Sequence, residues 1–267
     1  MDVIRAAGAD IQENEDRAGG SVLVVQKSAR ILDCLAGAGR QLRAAEIRER
    51  TGLPMTTVAR LLRTLLAEDL LRREGPYYSI GLRVTAWAHA ASAGSDLIVC
   101  AEPLIAELRD SSGETAGVYI RQGTNRVCVL LKESRQPIAY RGTPGQVRPL
   151  AGGAAGRIFM AFDPSARQAV LDAGLTGYTS QSITDPDALD AQLELVRRQG
   201  WASVAGEREV GLHTVAAPIF DPASRLVGAV AIAGPSFRMT PPQTSRLAEL
   251  VTACAEKISR AIAKGAA

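Results

Sequence analysis

The sequence predicts an α+β protein of two domains, an N-terminal winged helix-turn-helix and a C-terminal α/β domain built on an antiparallel sheet. Three observations carry that expectation. At 267 residues the chain exceeds one typical domain. Its first third holds a basic helix, turn, helix and hairpin pattern. After Gly113 helical periodicity gives way to alternating apolar strands. A composition of 46% hydrophobic and 22% charged residues is ordinary for a globular protein and supplies ample apolar material for two cores.

Residues 1–20 carry a net charge of −3, end in Gly-Gly, and read as a disordered tail. Residues 21–94 carry +5 and residues 95–267 only +1, so the basic character is local. In "SARILDCLAG" the residues Ile31, Leu32 and Leu35 share a helical face, with Ser28 as expected N-cap and Gly37 as stop. A short helix follows over Ala44 to Thr51, then a turn at Gly52 and Leu53, then a helix opened by Pro54. In that helix Val58, Leu61, Leu62 and Leu65 recur at three- and four-residue steps and face a core. Thr56, Thr57, Arg60 and Arg63 fall elsewhere on the cylinder.

Short hydroxyls at a helix start and two arginines one turn apart suit the major groove of DNA. Hydroxyls and terminal amides meet phosphates, and an arginine grips guanine bidentately. A solvated face on a small helical bundle is the alternative, and the next segment weighs against it. "LLRREGPYYSIG" has two strand-like runs around a Glu-Gly-Pro turn, a wing directly after the helix pair. Alternation sends one of Tyr77 and Tyr78 inward and the other outward. Arg43, Arg73 and Tyr77 complete the candidate DNA-contacting set, and the winged domain is expected over residues 21–82.

Residues 83–95 read as a linker helix rich in alanine around Trp87, a residue explained either by pairing with a second copy or by packing on its own domain. The second domain is expected over residues 96–267. "ETAGVYIRQGTNRVCVLLKES" is a hairpin of two alternating strands, and "PIAYRG" is expected to add a third. "GGAAGRIFMAF", "SARQAVLDAG" and "DPDALDAQLELVRRQG" read as helices, the last capped by Asp185 before Pro186. "WASVAGE", "HTVAAPIFD" and "RLVGAVAIAG" return to strands, and an amphipathic helix closes the chain.

Candidate chemistry is sparse. Cys34, Cys100, Cys128 and Cys254 lie far apart with no zinc spacing, so no metal is expected and a reducing compartment fits. No apolar run reaches membrane-span length and no signal-peptide layout opens the chain, so the expected location is the cytoplasm. His89 has no acidic or thiol pattern near it, and no paired carboxylates or Ser-His-Asp arrangement stand out, so neither catalytic residues nor a cofactor are expected. "PLAGGAAGR" lacks the Gly-Lys-Ser/Thr ending of a P-loop, which removes a nucleotide reading. A small-molecule enzyme with an N-terminal interaction domain, and a ligand-independent DNA binder, are the competing functions.

From about Val25 to Ala263 the chain resembles the IclR family of bacterial transcriptional regulators. The resemblance rests on "SARILDCLA", "LRAAEIRERTGLPMTTVARLLRTLLAEDLLRR", "YYSIGLRV", "SITDPDALDAQLELVRRQGWA" and "VGLHTVAAPIFDPASRLVGAVAIAGP". It implies a homodimer or homotetramer on double-stranded operator DNA, with a GAF-like C-terminal domain that binds a small-molecule effector and mediates oligomerisation. It also implies that Thr56, Thr57 and Arg60 meet DNA, with Arg63 close by and Arg73 at the wing. Family members commonly have a basic residue where Met55 stands and His or Tyr where Ala59 stands, so the operator does not carry over.

By the same resemblance the effector lies between the sheet and the helix starting in the glycine-rich stretch. Ala154 and Ala155 stand at the helix start, Leu212 and Thr214 on one strand, Ala231 and Ala233 on the next, Val204 near the entrance and Val129 nearby. Members that take small oxo-acids tend to have Asp, Cys and Ser at several of these sites. Val, Thr and Ala here predict an aromatic or otherwise hydrophobic acid or derivative, held at one end by helix-start amides. His213 or Arg148 is a further candidate to help anchor the effector, with a surface position the expected reading for each. A domain that serves dimerisation alone is the competing reading.

Overall fold

A computed structural model describes residues 22–93 and 95–265, so the tail expected over residues 1–20 lies outside the described residues. The chain divides into two compact units at Ser95. The helix expected as a separate linker, Arg83–Ala93, groups with the first unit.

The first unit runs α1 (Leu23–Ala36), β1 (Leu42–Arg43), α2 (Ala44–Thr51), α3 (Met55–Ala67), β2 (Leu71–Glu74), β3 (Tyr77–Ile80) and α4 (Arg83–Ala93). α1 starts earlier than its expected cap. The apolar run from Val22 to Val25 continues the helix, and Ser28 sits inside it with Oγ donating to the Val24 carbonyl at 2.8 Å. Gly52 ends α2 at φ +68°, a left-handed conformation that lets the chain turn sharply into α3. Ile31, Leu35, Leu42, Ile47, Val58, Leu61, Leu62, Leu65 and Leu71 form the core of this unit. Each such side chain contributes about 1.5–3 kcal/mol when fully buried. The three-stranded sheet has order β1-β3-β2, pairing Leu42 with Tyr78 and Leu71 with Ile80.

The second unit runs α5 (Asp96–Ser112), β4 (Thr115–Gln122), β5 (Asn125–Lys132), β6 (Val147–Pro149), α6 (Ala154–Phe162), α7 (Pro164–Ala173), α8 (Pro186–Gln199), β7 (Ala202–Ala205), β8 (Leu212–Phe220), β9 (Leu226–Pro235) and α9 (Pro241–Gly265). Its six strands form one antiparallel sheet of order β6-β5-β4-β9-β8-β7. One face packs on α5 and α9 through Ile105, Val118, Val215, Ile219, Val230, Ile232, Val251 and Ile258. The other packs on α6 and α8 through Tyr119, Cys128, Ile158, Phe159, Leu189, Leu193, Ala216, Ala229 and Ala231. The period-2 alternation of each strand supplies both faces.

The strand expected in "PIAYRG" does not form. The edge of β5 is taken by the later segment instead: Gly145 N–H donates to Cys128 O at 2.7 Å, Cys128 N–H donates to Gln146 O at 3.0 Å, and β6 follows. With that edge satisfied, residues 137–142 run as a loop whose Tyr140 carbonyl accepts from Thr115 Oγ1 at 2.7 Å.

α6 is buried along nearly its whole length, and it passes so close to the end of β6 that a Cβ on Gly156 would lie 1.9 Å from Leu150 O. A rigid backbone carbonyl cannot give way as a flexible side chain would. Gly156→Ala should therefore destabilise the C-terminal unit by about 1–3 kcal/mol or more, the cost of overpacking a dense core. A lower urea midpoint is the expected measurement.

Candidate functional site

The first unit presents a recognition surface on α3. Val58, Leu61, Leu62 and Leu65 point into the core, while Thr56, Arg60 and Arg63 are exposed and Thr57 is half-buried at the same end. Pro54 stands before the helix, and no side chain caps it. Its first amides therefore keep the anion-attracting character of a helix N-terminus. The wing carries further cations. Arg43 Nη2 donates to Tyr77 Oη at 3.0 Å, with the guanidinium 5.0 Å from that ring's centre. Arg73 donates from Nε to Gly75 O at 2.7 Å and lies 5.6 Å from the Tyr78 ring. Tyr78 packs against the core and Tyr77 turns to Arg43, as alternation requires.

The second unit contains a cavity between the sheet and α6, about 30 Å³ of free volume within a larger recess open to solvent. Ala154, Ala155, Val204, Leu212, Thr214, Ala231 and Ala233 all line it. Val129 does not. Alternation along β5 puts Arg126 and Cys128 on the cavity side and Val129 on the other, where it packs against the α5 and α9 core.

The cavity is not the side-chain-free floor that its glycine-rich rim suggests. Tyr119, Arg126, Tyr140, Arg148 and Arg208 also line it. Arg126 is only 6% exposed, and it donates from Nη1 to the Pro149 carbonyl. Burial pushes its guanidinium pKa down to about 10, opposed by Tyr119 and reinforced by Arg208 and Arg148. Gly153, at φ +90°, makes the room: a Cβ there would sit 3.0 Å from Arg126 Nη2. Arg148, expected at the surface, instead borders the cavity and has a buried Nε with no hydrogen-bond partner. The helix-start amide expected to hold a ligand is already engaged, since Ala154 N–H donates to Thr214 Oγ1 at 3.0 Å.

Glu207 and Glu209 bring negative charge to the same walls, and both are committed. Arg157, 2% exposed behind the cavity, donates through Nη2 to both Glu207 carboxylate oxygens at 2.9 Å and through Nη1 to Ala151 O at 3.1 Å. Arg208 pairs with the half-exposed Glu209 at 2.8 Å. His213 points away from the cavity. Its Nδ1 is 3.0 Å from Met239 O and its Nε2 2.7 Å from Ser203 Oγ, so the carbonyl fixes the tautomer and the serine donates to Nε2.

The arginines had a partial signal in the sequence. Arg126 shares its side of β5 with Cys128, and a charged residue at an inward position of a strand marks a cavity or a buried pair. Arg148 was only a secondary candidate, because the β5–β6 register that sets it opposite Arg126 leaves no local pattern. Among the described residues no cluster of His, Cys, Asp and Glu offers a metal site, and no helix is long and apolar enough to cross a membrane.

A winged helix-turn-helix unit joined to an antiparallel-sheet domain with a lined cavity defines the class of DNA-binding transcription regulators. Comparison with known proteins narrows the class. A family model described as the IclR helix-turn-helix domain matches residues 24–75, and one described as the bacterial transcriptional regulator IclR C-terminal domain matches residues 89–260. The glycerol operon regulatory protein of Streptomyces griseus is 32% identical over 250 residues, covering 90% of this chain and 96% of that protein. The HTH-type transcriptional repressor AllR of Escherichia coli K12 is 30% identical over 242 residues, covering 89% of each. The solved structure of an IclR transcriptional regulator from Alicyclobacillus acidocaldarius has a TM-score of 0.82 at 28% identity, covering 91% of this chain and all of that one. The chain belongs to the IclR family of bacterial transcriptional regulators.

Two perturbations probe the site's electrostatics. Glu207→Ala strands the buried Arg157 charge and should cost about 3–5 kcal/mol, read as a lower urea midpoint, whereas replacing both partners by apolar residues of similar volume should be far milder. Burial lowers the pKa of His213 below its ordinary value, with the Met239 carbonyl opposing. The unfolded chain then binds more protons between the two pKa values, so this contribution to stability is present above about pH 6.5 and is lost as pH falls through that window. His213→Gln should flatten the pH dependence of the melting temperature between pH 7 and 5.

Proposed function

We propose that this regulator reads operator DNA with α3 and that its grip is set by a small acidic effector held in the C-terminal cavity. Thr56 and Thr57 meet phosphates at the helix start, Arg60 and Arg63 reach base edges, and Arg43, Arg73 and Tyr77 steady the wing against the neighbouring backbone. The observation that carries the effector reading is Arg126, a guanidinium 6% exposed, aimed at the cavity beside the Tyr119 ring and hydrogen-bonded to a backbone carbonyl. An acid anion supplies the charge that such a group wants, and Val204, Leu212, Ala231 and Ala233 take the ligand's apolar part. The effector's polar anchor is thus the arginine side chains more than the helix-start amide.

A homodimer is the working unit, since two reading heads are needed for paired half-sites. Support comes from apolar residues exposed on the first unit: Val22 to Val25 at the start of α1, Leu82, and Trp87 on α4, each between 48% and 77% exposed. The effector acts by binding more tightly to one arrangement of the dimer than to another, which changes affinity for DNA. The names of the relatives, regulators and repressors, support control by binding over catalysis.

The test is binding of the purified protein to fragments of its own upstream region across salt concentrations. We expect a sequence-preferring complex with a linear log-log salt slope, weakened by Arg60→Ala by about tenfold or more. No preference among fragments, or an unchanged affinity in the variant, overturns the assignment of α3.

A further inference from the structure

The charges lining the C-terminal cavity do not balance, and the imbalance specifies the ligand more narrowly than its being an acid. Three guanidinium groups line the cavity, from Arg126, Arg148 and Arg208. Of the two carboxylates there, Glu207 accepts both of its ion-pair hydrogen bonds from Arg157, and Glu209 pairs with Arg208. Arg126 and Arg148 are left, and among the described residues neither has an ion-pair partner.

These two residues are not merely near each other. They are direct partners in the antiparallel pairing of β5 with β6, so both side chains leave the same face of the sheet. Like charges directly opposite in a sheet are destabilising, and burial raises the penalty. One of the pair is 6% exposed, and the other keeps a buried Nε without a partner. Around them the cavity offers aromatic walls from Tyr119 and Tyr140, with Tyr140 Oη donating to Gln146 Oε1 at 3.2 Å. Two adjacent uncompensated cations in a half-enclosed, partly aromatic site call for two negative charges on one compact ligand.

We propose that the effector is a small dianion, gripped by Arg126 and Arg148 together, and that Arg148 sets the preference for a second negative charge. This rests on the reading of the cavity as the effector site. The shared chemistry has two sources, a short dicarboxylate or a phosphate monoester, and in either case charge-assisted hydrogen bonds to paired guanidinium groups supply the recognition.

Calorimetric titration of the full-length protein without DNA tests it. The probes are succinate, glutarate and isophthalate, each beside its monomethyl ester, with phenyl phosphate as the phosphate arm. We expect at least one dianion to bind about tenfold or more tightly than its singly charged counterpart, and Arg148→Gln to remove that advantage. The unliganded variant should melt at or above the temperature of the parent, because the substitution removes a like-charge contact. This readout also shows that the variant folds. Tight binding by phenyl phosphate alone supports the dianion and assigns its source to a phosphate monoester. Equal affinity for diacids and half-esters, or a preference that survives Arg148→Gln, overturns the proposal and leaves an acid-binding cavity intact. Failure of every acid, singly or doubly charged, overturns the effector reading itself.

Discussion

The C-terminal unit depends on one constraint: a six-stranded antiparallel sheet must bury both faces, and helices of different kinds cover them. α5 and α9 lie on bulky β-branched side chains, and α6 lies on small ones, chiefly Ala216, Ala229 and Ala231. The small residues let α6 approach so closely that Gly156 meets the Leu150 carbonyl. That approach fixes the helix start beside β8, where Thr214 accepts the Ala154 amide, and leaves a cavity beside it lined from β6 across to the β7–β8 segment. Dense packing and free space thus meet at the same end of the helix, Gly156 against the Leu150 carbonyl and the cavity at Gly153, Ala154 and Ala155.

Two kinds of buried arginine follow from this arrangement. Arg157, inside α6, satisfies its charge within the protein through the bidentate contact with Glu207. Its role is structural, joining α6 to the segment between β7 and β8. Arg126 lies as deep, but its guanidinium finds a backbone carbonyl and an aromatic ring in place of a carboxylate. The difference is one of completeness: a closed ion pair stabilises an arrangement, whereas an open cation waits for a counter-charge.

The N-terminal unit is nearly transparent to the sequence. Its periodic leucines, its Gly52 turn and its Glu-Gly-Pro hairpin are local signals, and local signals decide a domain whose contacts span few residues. The exception is the start of α1, where a strong candidate cap at Ser28 was overridden because apolar residues upstream continue the helix. In the second unit most elements were legible by alternation and capping, but the strand expected in "PIAYRG" was not formed. Its apolar character was real, and the pairing edge it needed was occupied by residues 145–149.

By itself the sequence determined the two-domain α+β class and the face of α3 turned outward, because each depends on residue type and spacing along one element; the alanine-lined part of the cavity followed only from the resemblance to the IclR family. Only the tertiary structure decided what the cavity is chemically. Arg126 becomes a buried cation when α6 covers it, and Arg148 becomes its neighbour through a strand register that no local pattern specifies. Electrostatics is a property of distances between elements, and those distances exist only in the folded chain.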